Sequence, residues 1–103
     1  MRELWGEIMD ESLKEKLQKL KPILKEKYGI EKFAIFGSVA RGENTKNSDI
    51  DIAILKIKKR KFSIRQEAKR FLETSLDKRV DLGYFDSMKT YIQNIVKKDF
   101  IYV

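Results

Sequence analysis

Gly37-Ser38 and Asp49-Ile50-Asp51, with ten residues between them, are the part of this chain whose residue types and spacing can do chemistry. A glycine and a hydroxyl residue that leave an apolar strand and open a short helix bring backbone N–H groups and an oxygen close to an anion such as a phosphate. Two aspartates one residue apart on a strand project to the same face, about 6.5 to 7 Å apart along the backbone, and can converge on one cation. Neighbouring carboxylates drawn out of water are costly without a counter-ion, so the pair asks for a metal or a basic partner. Magnesium suits it, because magnesium takes one or two protein carboxylates and completes its shell with phosphate and water. The combination implies a nucleoside triphosphate held through magnesium. Taken alone, the aspartate pair reads first as an idle solvent-facing strand edge, and Gly-Ser alone is an ordinary turn.

Composition narrows the chemistry further. The chain has no cysteine and no histidine, which excludes disulfides, thiolate catalysis, imidazole bases and imidazole metal ligands. Carboxylates and hard, oxygen-seeking cations remain. Lys and Arg number 23 against 16 Asp and Glu, a net charge of +7 that favours approach to a polyanion without choosing among nucleotide, nucleic acid and acidic protein. The apolar fraction of 42 % is ordinary, whereas the charged fraction of 38 % exceeds the usual figure of about 25 %. One domain spanning residues 1–103, with a modest core under a heavily charged surface, is expected. Apolar runs are short and the start is acidic, through Glu3, Glu7, Asp10 and Glu11, so a soluble cytoplasmic protein without an export signal or membrane partner is expected.

The elements that must position these residues follow from periodicity. Leu13, Leu17, Leu20, Ile23 and Leu24 recur at helical spacing from Asp10 to Tyr28, with Asp10 or Ser12 as cap, and Pro22 predicts a kink or a junction of two helices. Leu4, Trp5, Ile8 and Met9 form a smaller apolar cluster ahead of it. Lys32 to Phe36 reads as a strand, Val39 to Arg41 as a brief helix closed by Gly42, and Glu43 to Asn47 as a polar loop. Ser48 to Ile57 reads as a buried strand with Asp49 and Asp51 inside it and Ile50 and Ile52 facing the core. After the basic connection Lys58 to Lys61, a helix carries Ile64, Ala68, Phe71, Leu72 and Leu76. Val80 to Phe85 makes a strand holding Asp81. Asp86 is placed to cap a last helix through Met88, Tyr91, Ile92, Ile95 and Val96, ahead of an apolar tail from Phe100 to Val103. Helices alternating with strands predict one small α/β or α+β sheet. The basic segment Lys56, Lys58, Lys59, Arg60, Lys61 and Arg65 reads first as a solvated connection, and second as a face for nucleic acid or a partner.

Gly37-Ser38, Arg41-Gly42, Ser48, Asp49 and Asp51 resemble the signature of the DNA polymerase β-like nucleotidyltransferases, in particular the minimal nucleotidyltransferase branch. The resemblance runs from about Ile23 to the C-terminus and implies a small mixed β-sheet flanked by helices. It further implies that Gly37 and Ser38 hold the triphosphate and that Asp49 and Asp51 bind magnesium. Asp81 looks like the third carboxylate of the family, although Asp77 and Asp86 lie nearby. Similar enzymes use two metal ions, one lowering the pKa of the attacking hydroxyl and one stabilising the leaving pyrophosphate. Arg41 then contacts phosphate or pairs with an acidic group. Ser48 orients the strand entrance or contacts phosphate.

Members of this branch resembling the present chain are antitoxins paired with a helical HEPN-type ribonuclease toxin, and the resemblance implies transfer of AMP from ATP to a toxin tyrosine. Two alternatives stay open from sequence. One is a binding antitoxin that masks its partner without catalysis, and the other is nucleotidyl transfer to RNA or a small molecule.

Overall fold

Short apolar runs in the central strands, Phe33 to Ile35 and Ile52 to Leu55, build the sheet that carries the candidate site. The computed structural model describes residues 11–43 and 47–103. Strands β1 (Ile30–Phe36), β2 (Ile50–Ile57), β3 (Val80–Tyr84) and β4 (Ile101–Tyr102) form one sheet in the order β3-β2-β1-β4. β2 is antiparallel to β1 and parallel to β3, and β4 is antiparallel to β1, so the sheet is mixed, as expected.

Among the described residues four α-helices accompany it: α1 (Glu11–Tyr28), α2 (Gly37–Arg41), α3 (Phe62–Leu76) and α4 (Thr90–Val96). α3 makes the crossover that two parallel neighbours require, carrying the chain from the end of β2 back to the start of β3. Leu17 and Leu24 of α1 and Ala68, Leu72 and Leu76 of α3 share one core with Ile35 of β1, Ile50, Ile52 and Ile54 of β2, and Val80 and Leu82 of β3. Each large aliphatic side chain buried there contributes about 1.5 to 3 kcal/mol relative to exposure. Because strand side chains alternate, burying Ile50, Ile52, Val80 and Leu82 turns Asp51 and Asp81 to the opposite face.

The structure corrects several sequence expectations. Pro22 does not join two helices: α1 is one helix that runs through it, with Leu17 and Leu24, on either side of the proline, 0 % and 1 % exposed in the same core. That packing outweighs a proline cost of roughly 3 kcal/mol. Ile23 falls off the buried stripe and is exposed. Asp86 caps no helix. It lies in a 3₁₀ turn, Phe85–Ser87, and its carboxylate pairs with Arg60, while α4 starts after Lys89 with no side-chain cap. The apolar tail contains an edge strand, with Ala34 opposite Tyr102 and Ile35 opposite Ile101. The Leu4–Met9 cluster, the Asp10 cap and part of the polar loop, 44–46, lie outside the described residues. Among the described residues, no helix is long and apolar enough to cross a membrane.

Candidate active site

The site forms where β1 ends and β2 and β3 begin. β1 runs out at Phe36, opposite Asp51, and the chain turns at Gly37 into α2. Gly37 has φ +78°, the left-handed region, and a β-carbon built there would lie 2.3 Å from Asp51 Oδ2. The Asp51 carboxylate therefore rests directly against the backbone of the Gly-Ser turn. Only glycine meets both the torsion and the close approach. Gly42, with φ +74°, ends α2, and the amides of Glu43 and Gly42 donate to the carbonyls of Ser38 and Val39 at 2.9 and 3.2 Å. This double closure fixes a helix too short to hold itself. Ser38 is half-buried beside Gly37.

On its other side Asp51 meets Asp81. The parallel register runs Ile50 to Val80, Asp51 to Asp81 and Ile52 to Leu82, so the two carboxylates are cross-strand partners on one face. Like charges placed this way repel. The Asp51 carboxyl accordingly has a raised pKa: partial burial contributes most, followed by the charges of Asp81 and Asp49, against a smaller opposing effect of Arg41. The neighbouring acids occupy other posts. Asp77 ends α3 in a left-handed conformation, and Asp86 is held by Arg60. Asp81 is thus the strand carboxylate that stands beside Asp51.

Asp49 departs from expectation. β2 begins at Ile50, so Asp49 lies one residue outside the ladder, and same-face alternation does not bind it. Its Oδ1 is 3.1 Å from Arg79 Nε, and it is exposed. Among the described residues no group of three acidic side chains is gathered closely enough to hold a metal as it stands. The structure brings Asp51 and Asp81 together and turns Asp49 toward Arg79. Sequence reasoning missed Arg79. Its signal is a basic residue two positions before Asp81, where the parallel strand returns beside the Asp49–Asp51 segment.

Arg41 is ion-paired at the end of α2. Its Nε donates to Glu43 Oε1 at 2.9 Å and its Nη1 to Asp99 Oδ2 at 2.6 Å, with its pKa raised chiefly by Glu43 and then by Asp99. These bonds tie the end of α2 to the 3₁₀ turn Lys97–Asp99. Ser48 is half-buried at the entrance to β2. The arginines of the basic segment are engaged locally: Arg60 stacks over Tyr84 at 4.4 Å, and Arg65 donates to the Leu82 carbonyl at 3.0 Å.

The donor chemistry fits magnesium. Asp51 and Asp81 offer hard oxygen donors on one face, and their mutual repulsion is what a divalent cation relieves.

Residues 17–103 match the nucleotidyltransferase domain family, and the chain belongs to it. It is 42 % identical over 94 residues to a Methanocaldococcus jannaschii protein provisionally named protein adenylyltransferase MJ1379, covering 88 % of this chain and 94 % of the relative. A solved structure provisionally named a minimal nucleotidyltransferase superposes with a TM-score of 0.73 at 26 % identity, over 90 % of this chain and 95 % of that one. A toxin–antitoxin structure with AMP-PNP matches with a TM-score of 0.62 at 32 % identity, over 76 % of this chain and 61 % of that one.

Proposed function

We propose that this chain is a magnesium-dependent protein adenylyltransferase acting in the cytoplasm as the antitoxin of a two-protein module, with a tyrosine of a helical HEPN-type toxin as acceptor. The observation that carries the reading is the Asp51–Asp81 register pair seated against the Gly37 turn. Family membership supports the reaction class, and the match to a toxin–antitoxin structure with a nucleotide analogue supports both substrate and partner.

In this reading Asp51 and Asp81 hold magnesium, with Asp49 joining when its contact with Arg79 opens. Bound magnesium supplies neutralisation of the phosphoryl oxygens and activation of the acceptor hydroxyl. Gly37 lets the backbone approach the triphosphate, and Ser38 presents its amide and hydroxyl to a phosphate oxygen. The tyrosine oxygen forms a bond to the α-phosphorus, the bond from that phosphorus to the oxygen bridging to the β-phosphate breaks, and pyrophosphate leaves. Asp81 orients the hydroxyl, and the hydroxyl proton passes to the Asp81 carboxylate as the new bond forms. Arg41 keeps α2 in place through Glu43 and Asp99, and Ser48 sets the entrance to β2.

The test incubates the folded protein with ATP, magnesium and the helical partner and weighs the partner intact. Addition of adenylyl groups supports the reading. Neutralisation of the toxin without added mass, surviving Asp51→Asn, would replace it with masking, and label transferred to RNA instead would replace the acceptor.

A further inference from the structure

Asp49 already has a cation, and the protein supplies it. Arg79 Nε lies 3.1 Å from Asp49 Oδ1, and Arg79 Nη2 donates to the Asn47 carbonyl at 3.3 Å. The Arg79 carbonyl accepts from the Ile50 amide at 2.9 Å. One residue therefore grips the turn into β2 by backbone and side chain together, two positions before Asp81 and one before β3 begins. Among the described residues no side-chain cation is ion-paired to Asp51 or Asp81. The guanidinium sits on the single acid of the three that lies outside the strand ladder.

We propose that Arg79 is a placeholder counter-ion: in the cation-free protein it neutralises Asp49, holds that carboxylate apart from the Asp51–Asp81 pair, and competes with a divalent cation for it. The inference rests on the reading of Asp49, Asp51 and Asp81 as cation ligands. Its physical basis is charge and exposure. Three carboxylates drawn together without a cation repel one another, and pairing the outermost with a monovalent group lowers that cost. The pair is nevertheless open to solvent, with side-chain exposures of 75 % for Arg79 and 47 % for Asp49, so it is weak and exchangeable. A divalent ion flanked by Asp51 and Asp81 interacts with Asp49 more strongly than a solvated guanidinium does.

The test is a Mn²⁺ titration of the full chain without nucleotide, followed by the relaxation enhancement of water protons, with thermal unfolding to confirm that each variant folds. Arg79→Gln is expected to bind Mn²⁺ about two- to fivefold more tightly than the parent, the range an exposed ion pair commands. Lys78→Gln removes the same charge from the adjacent residue, whose side chain forms no ion pair among the described residues, and is expected to leave binding unchanged. Equal or weaker binding by Arg79→Gln overturns the proposal, as does an equal gain in Lys78→Gln. If neither parent nor variant takes up Mn²⁺, or if Asp51→Asn binds it undiminished, the ligand reading underneath fails and the placeholder falls with it.

Discussion

Asp51 and Asp81 are register partners across the parallel strands β2 and β3, and the carboxylate of Asp51 is pressed on its other side against the backbone of Gly37. Repulsion, partial burial and close backbone approach thus meet at one side chain.

The raised pKa of Asp51 has a definite sign for stability. A carboxyl that holds its proton more tightly in the folded state stabilises fully below its ordinary value near 3.8, and that contribution is lost as pH rises through the raised folded value. At pH 7 the ionised group is a net cost. Asp51→Asn should therefore raise the Tm in chelator at pH 7, and the gain should vanish below pH 3.8. A lower Tm at pH 7 would contradict the burial and repulsion assigned to Asp51.

Removing a neighbour should move that titration. Asp81→Asn removes one of the two carboxylate charges that raise the Asp51 pKa and should lower it. Arg41→Gln removes the opposing positive charge and should raise it. Carbon-13 NMR of the aspartate carboxyls across the acid range reads both shifts, and their opposite directions are the point of the comparison.

Magnesium or manganese should stabilise the parent by mass action, by about 2.7 kcal/mol at a hundredfold excess over the Kd. The stabilisation should be absent in Asp51→Asn and in Asp81→Asn. Thermal unfolding across a metal series, returned to baseline with chelator, checks it, and an undiminished shift in both variants would move the cation elsewhere.

Gly37→Ala places a methyl group where the Asp51 carboxylate lies and forces a left-handed alanine. A stability loss of about 1 to 2 kcal/mol in urea unfolding is expected from the torsion alone. Adenylyl transfer should fall more than tenfold, because the carboxylate must shift to make room. Unchanged transfer would detach the turn from the site.

The lysines 58, 59 and 61 lie beyond the far end of β2, about 20 Å along the strand from Asp51 at roughly 3.3 Å per residue. That exceeds a screening length of about 8 Å at physiological ionic strength. Changing all three to glutamine should leave adenylyl transfer within about twofold if the segment is a solvated connection. Loss of transfer with retained metal binding would assign it to the partner's face.

The sheet and the long helices were readable because their signal is local. Ile50, Ile52 and Ile54 announce a buried strand, and Leu17 and Leu24 mark a helical stripe whatever lies around them. The turn at Gly37 and the closure at Gly42 were readable for the same reason, since both need the left-handed region. The departures all came from partners distant in sequence. Asp49 left the strand because ladder pairing with β3 starts at Ile50, and because Arg79 holds its carboxylate. Asp86 was lost as a cap because Arg60, stacked on Tyr84, holds it instead. The tail gained a strand because β1 had a free edge for Ile101 and Tyr102 to pair with. No window of neighbouring residues contains those pairings.

Catalytic transfer from the Asp51–Asp81 site to a protein acceptor is read out by intact mass spectrometry of the helical partner. After incubation with ATP and magnesium, the parent chain should add adenylyl mass to the partner, and Asp51→Asn should reduce the rate by more than about a hundredfold, the equivalent of roughly 2.7 kcal/mol of lost transition-state stabilisation. A partner bound by the parent yet unchanged in mass, or modified equally by Asp51→Asn, would rule out adenylyl transfer at this site.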